Sequence, residues 1–344
     1  MIDLIYDCDI TMGLPGRDVD DGLALLYLLG SPQIQILGIT TTFGNSTIEE
    51  VHPCLLSVLN DLGRRDIPAY RGAPRPERTT DRGGQPRDSE AARFLVETVR
   101  QHPGTVRVLA TGSPTNLLGA YRLNSGFFRD VKEIVFMGGI IEPLLIHGRE
   151  MKELNFASDP EAALYALYAG HPPAASTVGD PPPRKPDPGR CGISVISGNV
   201  CLQALLTLER FTTFLDDAAE SGIPANSPGS RSVMGFVPYL KEKILPWFSW
   251  IEGRYGLHGF HVWDATAALY LTHPQLFESA EVVLRSRLDD LGSGFLRTES
   301  RVGDPADGGN NSWKINLPKQ ILDMAGYWRT LFDGWRRAGE AWPQ

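Results

Sequence analysis

Short, almost continuously apolar runs alternate with helix-type segments along most of this chain, and no other feature limits its fold as strongly. IDLIYD, IQILGIT and VKEIVFMGG have the composition of buried strands, whereas DDGLALLYLLG has the acidic start of a helix that stops at Gly30. Strands of this kind are buried on both faces, which is typical of parallel sheets covered by helices. The sequence therefore predicts an α/β fold with a mostly parallel, open, Rossmann-like sheet flanked by helices, extended by a helical C-terminal region.

The length of 344 residues is compatible with two ordinary domains or with one large domain. The stretch from 171 to 190, HPPAASTVGDPPPRKPDPGR, is rich in Pro and poor in apolar residues, as flexible loops are. It could separate two domains, but ISVISGNVCLQALL resumes the alternation of strand and helix directly after it. We therefore predict a single domain over 1–344, with a flexible Pro-rich loop over 171–190.

Composition excludes several classes of partner. The formal net charge of −8 is unfavourable for nucleic-acid binding, which depends on clustered Lys and Arg. The four cysteines are far apart and form no CxxC pair, so we interpret them as reduced thiols. MIDLIYDCD lacks the basic residues of a signal peptide, and no run approaches the roughly 18 apolar residues of a membrane span. These features predict a cytoplasmic protein that binds neither nucleic acid nor membrane.

Polar or Gly-rich residues follow the predicted strands. In an open parallel sheet, ligands bind at the carboxyl ends of the strands. That rule selects the segment with Asp7 and Asp9, then 42–45, 111–116 and 137–139. The glycines in these segments are also compatible with ordinary turns, so the segments with chemical side chains carry the prediction of a site.

The acidic residues near the N-terminus are harder to explain as turn residues. Between positions 7 and 21 the chain places five aspartates, immediately before an apolar helix-type segment. Carboxylates that lie close together raise one another's pKa and cost stability unless a cation or an arginine lies between them. The crowding therefore predicts either a nucleophile site or a cation site.

One hypothesis is phosphoryl transfer. YDCDITM fits the strand-DxDxT pattern of haloacid dehalogenase-type phosphatases, in which Asp7 would be the nucleophile and Asp9 a general acid, with magnesium as the cofactor. VLATGS and GDPADG resemble two further motifs of that family. This hypothesis leaves Asp18, Asp20 and Asp21 unexplained, and the chain has no convincing lysine at the required place.

A second resemblance covers roughly residues 1–280. The chain resembles the inosine-uridine-preferring nucleoside hydrolase family, whose members begin with a strand, a DxD motif, a glycine and a DD pair that opens a helix. Further segments resemble family motifs in the family's order: GITTTFGNST (38–47), IPAYRGAPRP (67–76), TGSPTN (111–116), VFMGG (135–139), ELNFASDPEAA (153–163) and WDATAALYLTHPQLF (263–277). One such motif would be weak evidence, whereas this many in order is strong.

The resemblance implies a calcium site and a sugar site. It implies that calcium is bound by the carboxylates of Asp9, Asp21 and Asp264 and by the backbone carbonyl of Thr115, in keeping with the six to eight oxygen ligands that calcium prefers. It also implies that Asp9 accepts a proton from the attacking water. The implied substrate-binding residues, mostly polar, are Asp20, Asn45, Met137, Glu153 and Asn155.

The chain departs from the family pattern in three segments. TMGLP lengthens the spacing between Asp9 and Asp20, and Asp18 could replace one of the implied ligands. The family's HGxxG element is absent, and RGGQPRDSE occupies its region. IEPLLIHGREMK replaces an expected Asn after MGG; its His147 could substitute, although a solvent-facing loop histidine is the simpler interpretation.

The fourth departure concerns the leaving base. The family's HD dipeptide is here Trp263-Asp264, with His261 two residues before the tryptophan. On a strand, His261 and Trp263 would share a face. His261 could be the general acid and Trp263 a stacking platform for the base, or Trp263 could be a core aromatic. Trp247, Trp250 and Tyr255 could line a base pocket, but helix packing explains them as well.

The sequence thus predicts an N-glycosidase that hydrolyses a ribonucleoside or a close analogue with bound calcium, and relatives imply a homodimer or homotetramer. The alternative is a non-catalytic or repurposed nucleoside-binding protein on the same scaffold, which the lost HGxxG element and the altered HD dipeptide favour.

Overall fold

A computed structural model describes residues 1–75, 88–171, 191–220, 228–278, 280–299 and 313–342, without the side chains of 228–234. Most of the predicted loop 171–190, all of GDPADG and most of the region of the missing HGxxG element lie outside the described residues. The described strands are β1 (Ile2–Cys8), β2 (Ile34–Thr41), β3 (Ala69–Tyr70), β4 (Arg107–Ala110), β5 (Glu133–Met137), β6 (Leu144–Ile146), β7 (Arg149–Met151), β8 (Gly192–Ile196), β9 (Leu205–Thr207), β10 (Gly259–His261), β11 (Phe277–Glu278), β12 (Glu281–Leu284), β13 (Thr298–Glu299), β14 (Lys314–Asn316) and β15 (Gln320–Ile321).

Helices separate most of these strands, as the alternation predicts. They are α1 (Asp20–Leu29), α2 (Ile48–Asp61), α3 (Glu90–Gln101), α4 (Thr115–Leu123), α5 (Phe127–Asp130), α6 (Asn155–Ser158), α7 (Pro160–Leu167), α8 (Gly198–Cys201), α9 (Leu208–Glu220), α10 (Pro228–Tyr255), α11 (Trp263–Thr272), α12 (Leu288–Leu291) and α13 (Met324–Glu340), with a 3₁₀ turn at Pro274–Leu276.

The central sheet has nine described strands in the order β13-β12-β14-β8-β5-β4-β1-β2-β3. The strands from β14 to β3 are all parallel, whereas β12 and β13 pair antiparallel at one edge. β1 lies between β4 and β2, where the order of the strands along the chain reverses. Such a reversal opens a crevice at the carboxyl ends of the strands, so the topology places a ligand site beside the end of β1.

Both faces of the sheet are buried, which explains the nearly continuous apolar strands. Along β1, Leu4, Tyr6 and Cys8 belong to one apolar cluster, while Ile5 belongs to a second cluster on the opposite face. Side chains alternate between the faces of a strand, so a strand covered on both sides must be apolar at successive positions. The predicted parallel α/β sheet is confirmed.

The C-terminal helical region packs against α1. The Trp335 indole nitrogen on α13 donates to the Leu23 carbonyl at 2.9 Å, and a Cβ at Gly30 would lie 1.8 Å from the Gly334 carbonyl oxygen. Gly30 therefore ends α1, as predicted, where close helix packing excludes a larger residue.

The sequence did not predict the antiparallel edge strands β12 and β13, which are short. In the described residues no helix is both long and apolar enough to span a membrane.

Candidate active site

The polar segments at the carboxyl ends of the strands come together as predicted. Asp9 follows β1, residues 42–45 follow β2, and residues 111–114 connect β4 to α4. α1 and α11 lie side by side and both begin at this edge of the sheet, which brings residues 20 and 264 into the same site.

Three buried carboxylates form the centre of the site. Asp20, Asp21 and Asp264 each offer an oxygen within 4.8 Å of the others'. The first two lie in the first turn of α1, and Asp264 lies in the first turn of α11. The unpaired N–H groups of a helix N-terminus favour negative charge there, and the Asp264 backbone N–H donates to Asp20 Oδ2 at 3.2 Å.

Asp21 and Asp9 are held by a second set of hydrogen bonds. Thr111 Oγ1 donates to Asp21 Oδ1 at 2.8 Å, and the Tyr6 hydroxyl donates to the same oxygen at 3.2 Å. The Asn45 amide nitrogen lies 3.4 Å from both Asp9 Oδ1 and Asp21 Oδ2, so it bridges the two carboxylates. These contacts fix the carboxylates but leave their negative charge uncompensated.

Asp9 occupies a recess formed by two glycines. Its Oδ2 accepts the Asn45 backbone N–H at 2.5 Å. A Cβ at Gly44 would lie 1.9 Å from the same oxygen, and a Cβ at Gly112 would lie 3.1 Å from the Asp9 Cβ and Cγ. Glycine is therefore required at these two positions because Asp9 lies so close to the backbone. Turn geometry alone does not explain it.

Burial raises the pKa of every carboxyl group in this cluster. The pKa values of Asp9, Asp20 and Asp264 lie well above the ordinary value, because burial disfavours the charge and neighbouring aspartates repel it. The pKa of Asp21 is raised mainly by burial too. Among the described ion pairs, none joins a Lys or Arg to these four residues. The cluster therefore offers buried, negatively charged carboxylate oxygens, which are suitable ligands for a hard divalent cation.

Asp18 also faces the site. Its Oδ1 accepts the backbone N–H groups of Val19 at 2.7 Å and Asp20 at 3.3 Å, and burial raises its pKa to about 6. We call Asp9, Asp18, Asp20, Asp21 and Asp264 the carboxylate floor. The TMGLP segment forms a turn that packs on α10, where a Cβ at Gly13 would lie 2.9 Å from the Lys243 Cδ.

Asp7 points elsewhere. It is fully buried, and its Oδ1 accepts hydrogen bonds from Thr40 at 2.6 Å and from the Asn116 amide at 2.7 Å. The same Asn116 amide donates to the Thr41 carbonyl at 2.9 Å. Asp7 therefore ties β1 to β2 and α4 and does not line the cavity, so the structure does not present it as a nucleophile.

A cavity of about 220 Å³ opens above the carboxylate floor. Its described lining combines floor residues with Asn45, Thr111, Met137, Glu153, Asn155 and Trp263. The facing side comes from the β6–β7 hairpin and the residues after it: Leu144, Met151, Lys152 and Leu154, which we call the hairpin wall. All of this wall except Leu154 belongs to the IEPLLIHGREMK segment, in which sequence reasoning identified only His147. His147 lies exposed at the hairpin turn, as the simpler interpretation predicts.

Three predicted substrate residues lie together at one end of the cavity, where they also hold the backbone. Glu153 Oε1 accepts the N–H groups of Gly139 at 3.1 Å and Phe156 at 3.0 Å. The Asn155 amide nitrogen donates to the Thr111 carbonyl at 2.8 Å and to the Met137 carbonyl at 2.9 Å. These bonds join the ends of β4 and β5 to α6, so hydrogen bonds to the backbone hold the predicted sugar-binding residues in place.

A comparison with protein-family models matches residues 4–314 to the family described as inosine-uridine preferring nucleoside hydrolase. This match covers most of the chain. The chain belongs to the nucleoside hydrolase family. Uridine nucleosidase 1 of Arabidopsis thaliana is 26% identical over 334 residues, covering 90% of this chain and 85% of that protein. Probable uridine nucleosidase 2 of the same plant is 30% identical over 315 residues, covering 85% of this chain and 84% of that protein.

Solved structures confirm the fold. A purine-preferring ribonucleoside hydrolase from Gardnerella vaginalis aligns with a TM-score of 0.72 at 20% identity, covering 98% of this chain and 99% of that one. Membership of the nucleoside hydrolase family confirms the predicted family and its enzyme class, hydrolases of N-glycosyl bonds. It also shows that the phosphatase hypothesis was wrong, in agreement with the buried position of Asp7.

In this nucleoside hydrolase the side chain of Thr115 has a structural role. Thr115 is buried at the start of α4, where its hydroxyl donates to Asp159 at 2.7 Å and pairs with Ser113 at 2.9 Å. The role of its carbonyl as a metal ligand stays a prediction. Sequence reasoning missed Tyr6 and Thr111 as partners of Asp21, although Thr111 begins the recognised TGSPTN segment.

The two residues predicted to contact the base, Trp263 and His261, differ in their position relative to the cavity of this nucleoside hydrolase. Trp263 lines the cavity, whereas His261 is absent from its described lining and packs against the Trp263 ring at 5.1 Å between centroids. Burial lowers the pKa of His261 to about 4, and its Nδ1 is buried without a partner among the described residues. Trp247 and Trp250 stack on each other at 4.8 Å and do not line this cavity, which favours helix packing for both.

Proposed function

We propose that this chain hydrolyses the N-glycosidic bond of a ribonucleoside or a close analogue, giving the free base and ribose, with calcium bound at the carboxylate floor. The observation that supports this most strongly is the grouping of Asp20, Asp21 and Asp264. These carboxylates come from distant parts of the chain and are buried without a cationic side chain among their described partners, and Asp20 and Asp264 line the cavity.

The donor set supports calcium as the metal. Asp9, Asp21 and Asp264 would hold the ion with the Thr115 carbonyl, and Asp20 lies close enough to Asp21 and Asp264 to be a further ligand. When bound, the ion would neutralise the floor, orient the sugar hydroxyls and make a water easier to deprotonate.

Asp9 is the proposed general base. Its fixed, buried position beside Asp21 supports this role, because a carboxylate next to the metal site can accept a proton from a water held there. Gly44, Gly112 and the Asn45 backbone N–H fix the carboxylate in one position. The proton of the attacking water passes to this carboxylate as the water oxygen bonds to the anomeric carbon.

The remaining residues position the sugar and the base. Asp20, Asn45, Glu153 and Asn155 provide polar groups for the ribose hydroxyls, with Met137 beside them, and fixed partners of this kind hold the anomeric carbon against the water. The floor carboxylates also stabilise the positive charge that develops on the ribose as the bond breaks. Trp263 offers an aromatic face to the base.

The test is hydrolysis of a panel of purine and pyrimidine ribonucleosides by the purified protein, with calcium and, separately, with a chelator. We expect release of base and ribose from at least one nucleoside in calcium and none in chelator. Thermal stabilisation by nucleosides without turnover would support the non-catalytic binding protein instead. No release and no stabilisation would contradict both proposals. The cytoplasmic location, the homodimer or homotetramer and the single domain stay predictions.

A further inference from the structure

The hairpin wall contains a charged residue that the proposed mechanism does not use. Lys152 follows directly after β7, and of the described residues that line the cavity it is the only one with a Lys or Arg side chain. It shares the cavity with Trp263 and with the floor residues Asp18, Asp20 and Asp264. Among the described lining residues, Lys152 is therefore the one that can offer positive charge to a substrate.

The Lys152 ammonium is not committed to another group among the described residues. Two other lysines are paired: Lys243 lies 3.8 Å from Asp61, and Lys314 lies 2.7 Å from Glu281. No hydrogen bond or ion pair of this kind involves the Lys152 side chain within the described part of the chain. An ammonium carries three N–H donors on a flexible stem, so it can follow a ligand group in the cavity.

The backbone of Lys152 is nevertheless well placed. The next residue, Glu153, accepts backbone N–H groups from Gly139, Phe156 and Ala157 through its carboxylate. On the other side, Met151 pairs with Leu144 across the hairpin. The stem of Lys152 therefore starts from a fixed point at the cavity, and only its end is free to move.

His261 and Trp263 are poor proton donors to the base. His261 is neutral near pH 7 because burial lowers its pKa to about 4, and it is absent from the described lining. Trp263 has an indole N–H that does not transfer its proton.

We infer that Lys152 is the general acid for the leaving base, a catalytic residue on the hairpin wall. This inference rests on the proposed function of the same site. As the C1′–N bond breaks, its electron pair moves onto the base nitrogen, and an Nζ proton of Lys152 passes to the base. The water oxygen bonds to C1′, and Asp9 takes one proton of that water. Solvent then protonates Lys152 and deprotonates Asp9, so the balance is nucleoside plus water to base plus ribose.

Two variants and two kinds of substrate test this role. Lys152→Met removes the proton and the charge, and Lys152→Arg keeps the charge on a group that does not give up a proton in proteins. Each is assayed with inosine and uridine, and with p-nitrophenyl β-D-ribofuranoside, whose leaving group departs as a stable anion without protonation. General acid catalysis contributes about 10²–10⁴-fold. We expect both variants to lose about 10²-fold or more in kcat on whichever nucleoside the native enzyme cleaves, and to stay within about threefold of native on the aryl riboside.

The outcomes separate the acid from other roles. Equal losses on nucleoside and aryl riboside would overturn the inference, because a structural or binding role affects both. Full activity of Lys152→Arg on nucleosides would also overturn it, because charge alone would then suffice.

The aryl riboside reports that each variant is folded, and Lys132→Met, an exposed lysine outside the cavity lining, serves as the matched control. If the native protein cleaves the aryl riboside but no nucleoside, both the inference and the proposed substrate class fail; if it cleaves nucleosides and Lys152→Met does too at the native rate, only the inference fails.

Discussion

The carboxylate floor and the hairpin wall enclose the same cavity but are built on opposite principles. The floor is acidic, buried and fixed by hydrogen bonds from four parts of the chain. The wall is mostly apolar and partly exposed, and it comes from the β6–β7 hairpin and the residues directly after it, mostly within the IEPLLIHGREMK segment that departs from the family pattern. In the proposed mechanism the floor therefore activates the water, whereas the wall contacts and protonates the base.

If the floor carries the chemistry, Asp9→Asn has the largest effect. We expect kcat for nucleosides to fall about 10³-fold, because the amide cannot accept the water's proton. In the metal-free protein, at a pH where Asp9 is ionised, the same change raises the melting temperature, because it removes a buried negative charge beside Asp21. Asp216→Asn, at an exposed position on α9, is the control and changes neither quantity. A loss of both activity and stability would show that Asp9 supports the fold more than the reaction.

Calcium removal tests the charge of the floor through its pH dependence. Asp9, Asp20 and Asp264 have folded-state pKa values raised above the ordinary value, so the metal-free folded protein binds these protons more tightly than the unfolded chain. The free energy of unfolding in chelator is therefore highest at pH values below the ordinary carboxyl pKa and falls as pH rises toward the raised values.

Calcium reverses this trend, because it binds the ionised carboxylates. At about 100 times its Kd it adds about 2.7 kcal/mol to the free energy of unfolding at neutral pH, and less at acid pH where protons compete. Thermal unfolding with and without calcium between about pH 5 and pH 8 measures both curves. Two parallel curves would contradict a cation site at the floor.

Gly44→Ala tests the fit between the floor and its loops. The added methyl would lie 1.9 Å from Asp9 Oδ2, so Asp9 must move. We expect a loss of about 30-fold in kcat/KM, since small displacements of catalytic groups are costly, and about 1–3 kcal/mol in stability from overpacking. Gly253→Ala on α10 is the control, because nothing lies within 4 Å of its added methyl. Native activity of Gly44→Ala would show that the position of Asp9 is not critical.

The wall is tested by a smaller and more selective change. Leu144→Ala removes apolar contact with the substrate, and we expect KM to rise about fivefold, to different extents for purine and pyrimidine nucleosides, with kcat nearly unchanged. Leu145→Ala, on the opposite and 62% exposed face of the same hairpin, leaves KM unchanged. A uniform fall in kcat for every nucleoside would show that Leu144 positions the reacting groups and does not select the base.

The floor was predictable from the sequence because its signals are local and its assembly follows a general rule. Asp9, Asn45 and Thr111 each stand directly after an apolar strand, and parallel strands place such positions at one edge of a sheet. Asp264 was predictable only through resemblance, because no spacing rule connects it with residue 20. The packing of α1 against α11, which brings them together, depends on tertiary contacts of two nearly all-apolar helices.

The wall was harder to predict for a physical reason. β6 and β7 have three residues each, which is too few to show a clear period of alternation in the sequence. The sequence did contain one signal for the hairpin turn. His147 and Gly148 both have positive φ, at 48° and 72°, as the two central residues of a tight hairpin turn do, and HG between short apolar runs indicates such a turn. The side chains that face the cavity could then be assigned by alternation.

The position of Asp264 on α11 has a consequence for how the enzyme comes into being during translation. More than two hundred residues separate it from Asp20 and Asp21, with which it shares one cluster. The ribosome exposes the N-terminal aspartates first, so the growing chain carries them without their third partner until most of the protein has been made. The cluster of three carboxylates is therefore complete only in chains that have been synthesised past α11, and a prematurely terminated product that ends before α11 lacks its third member.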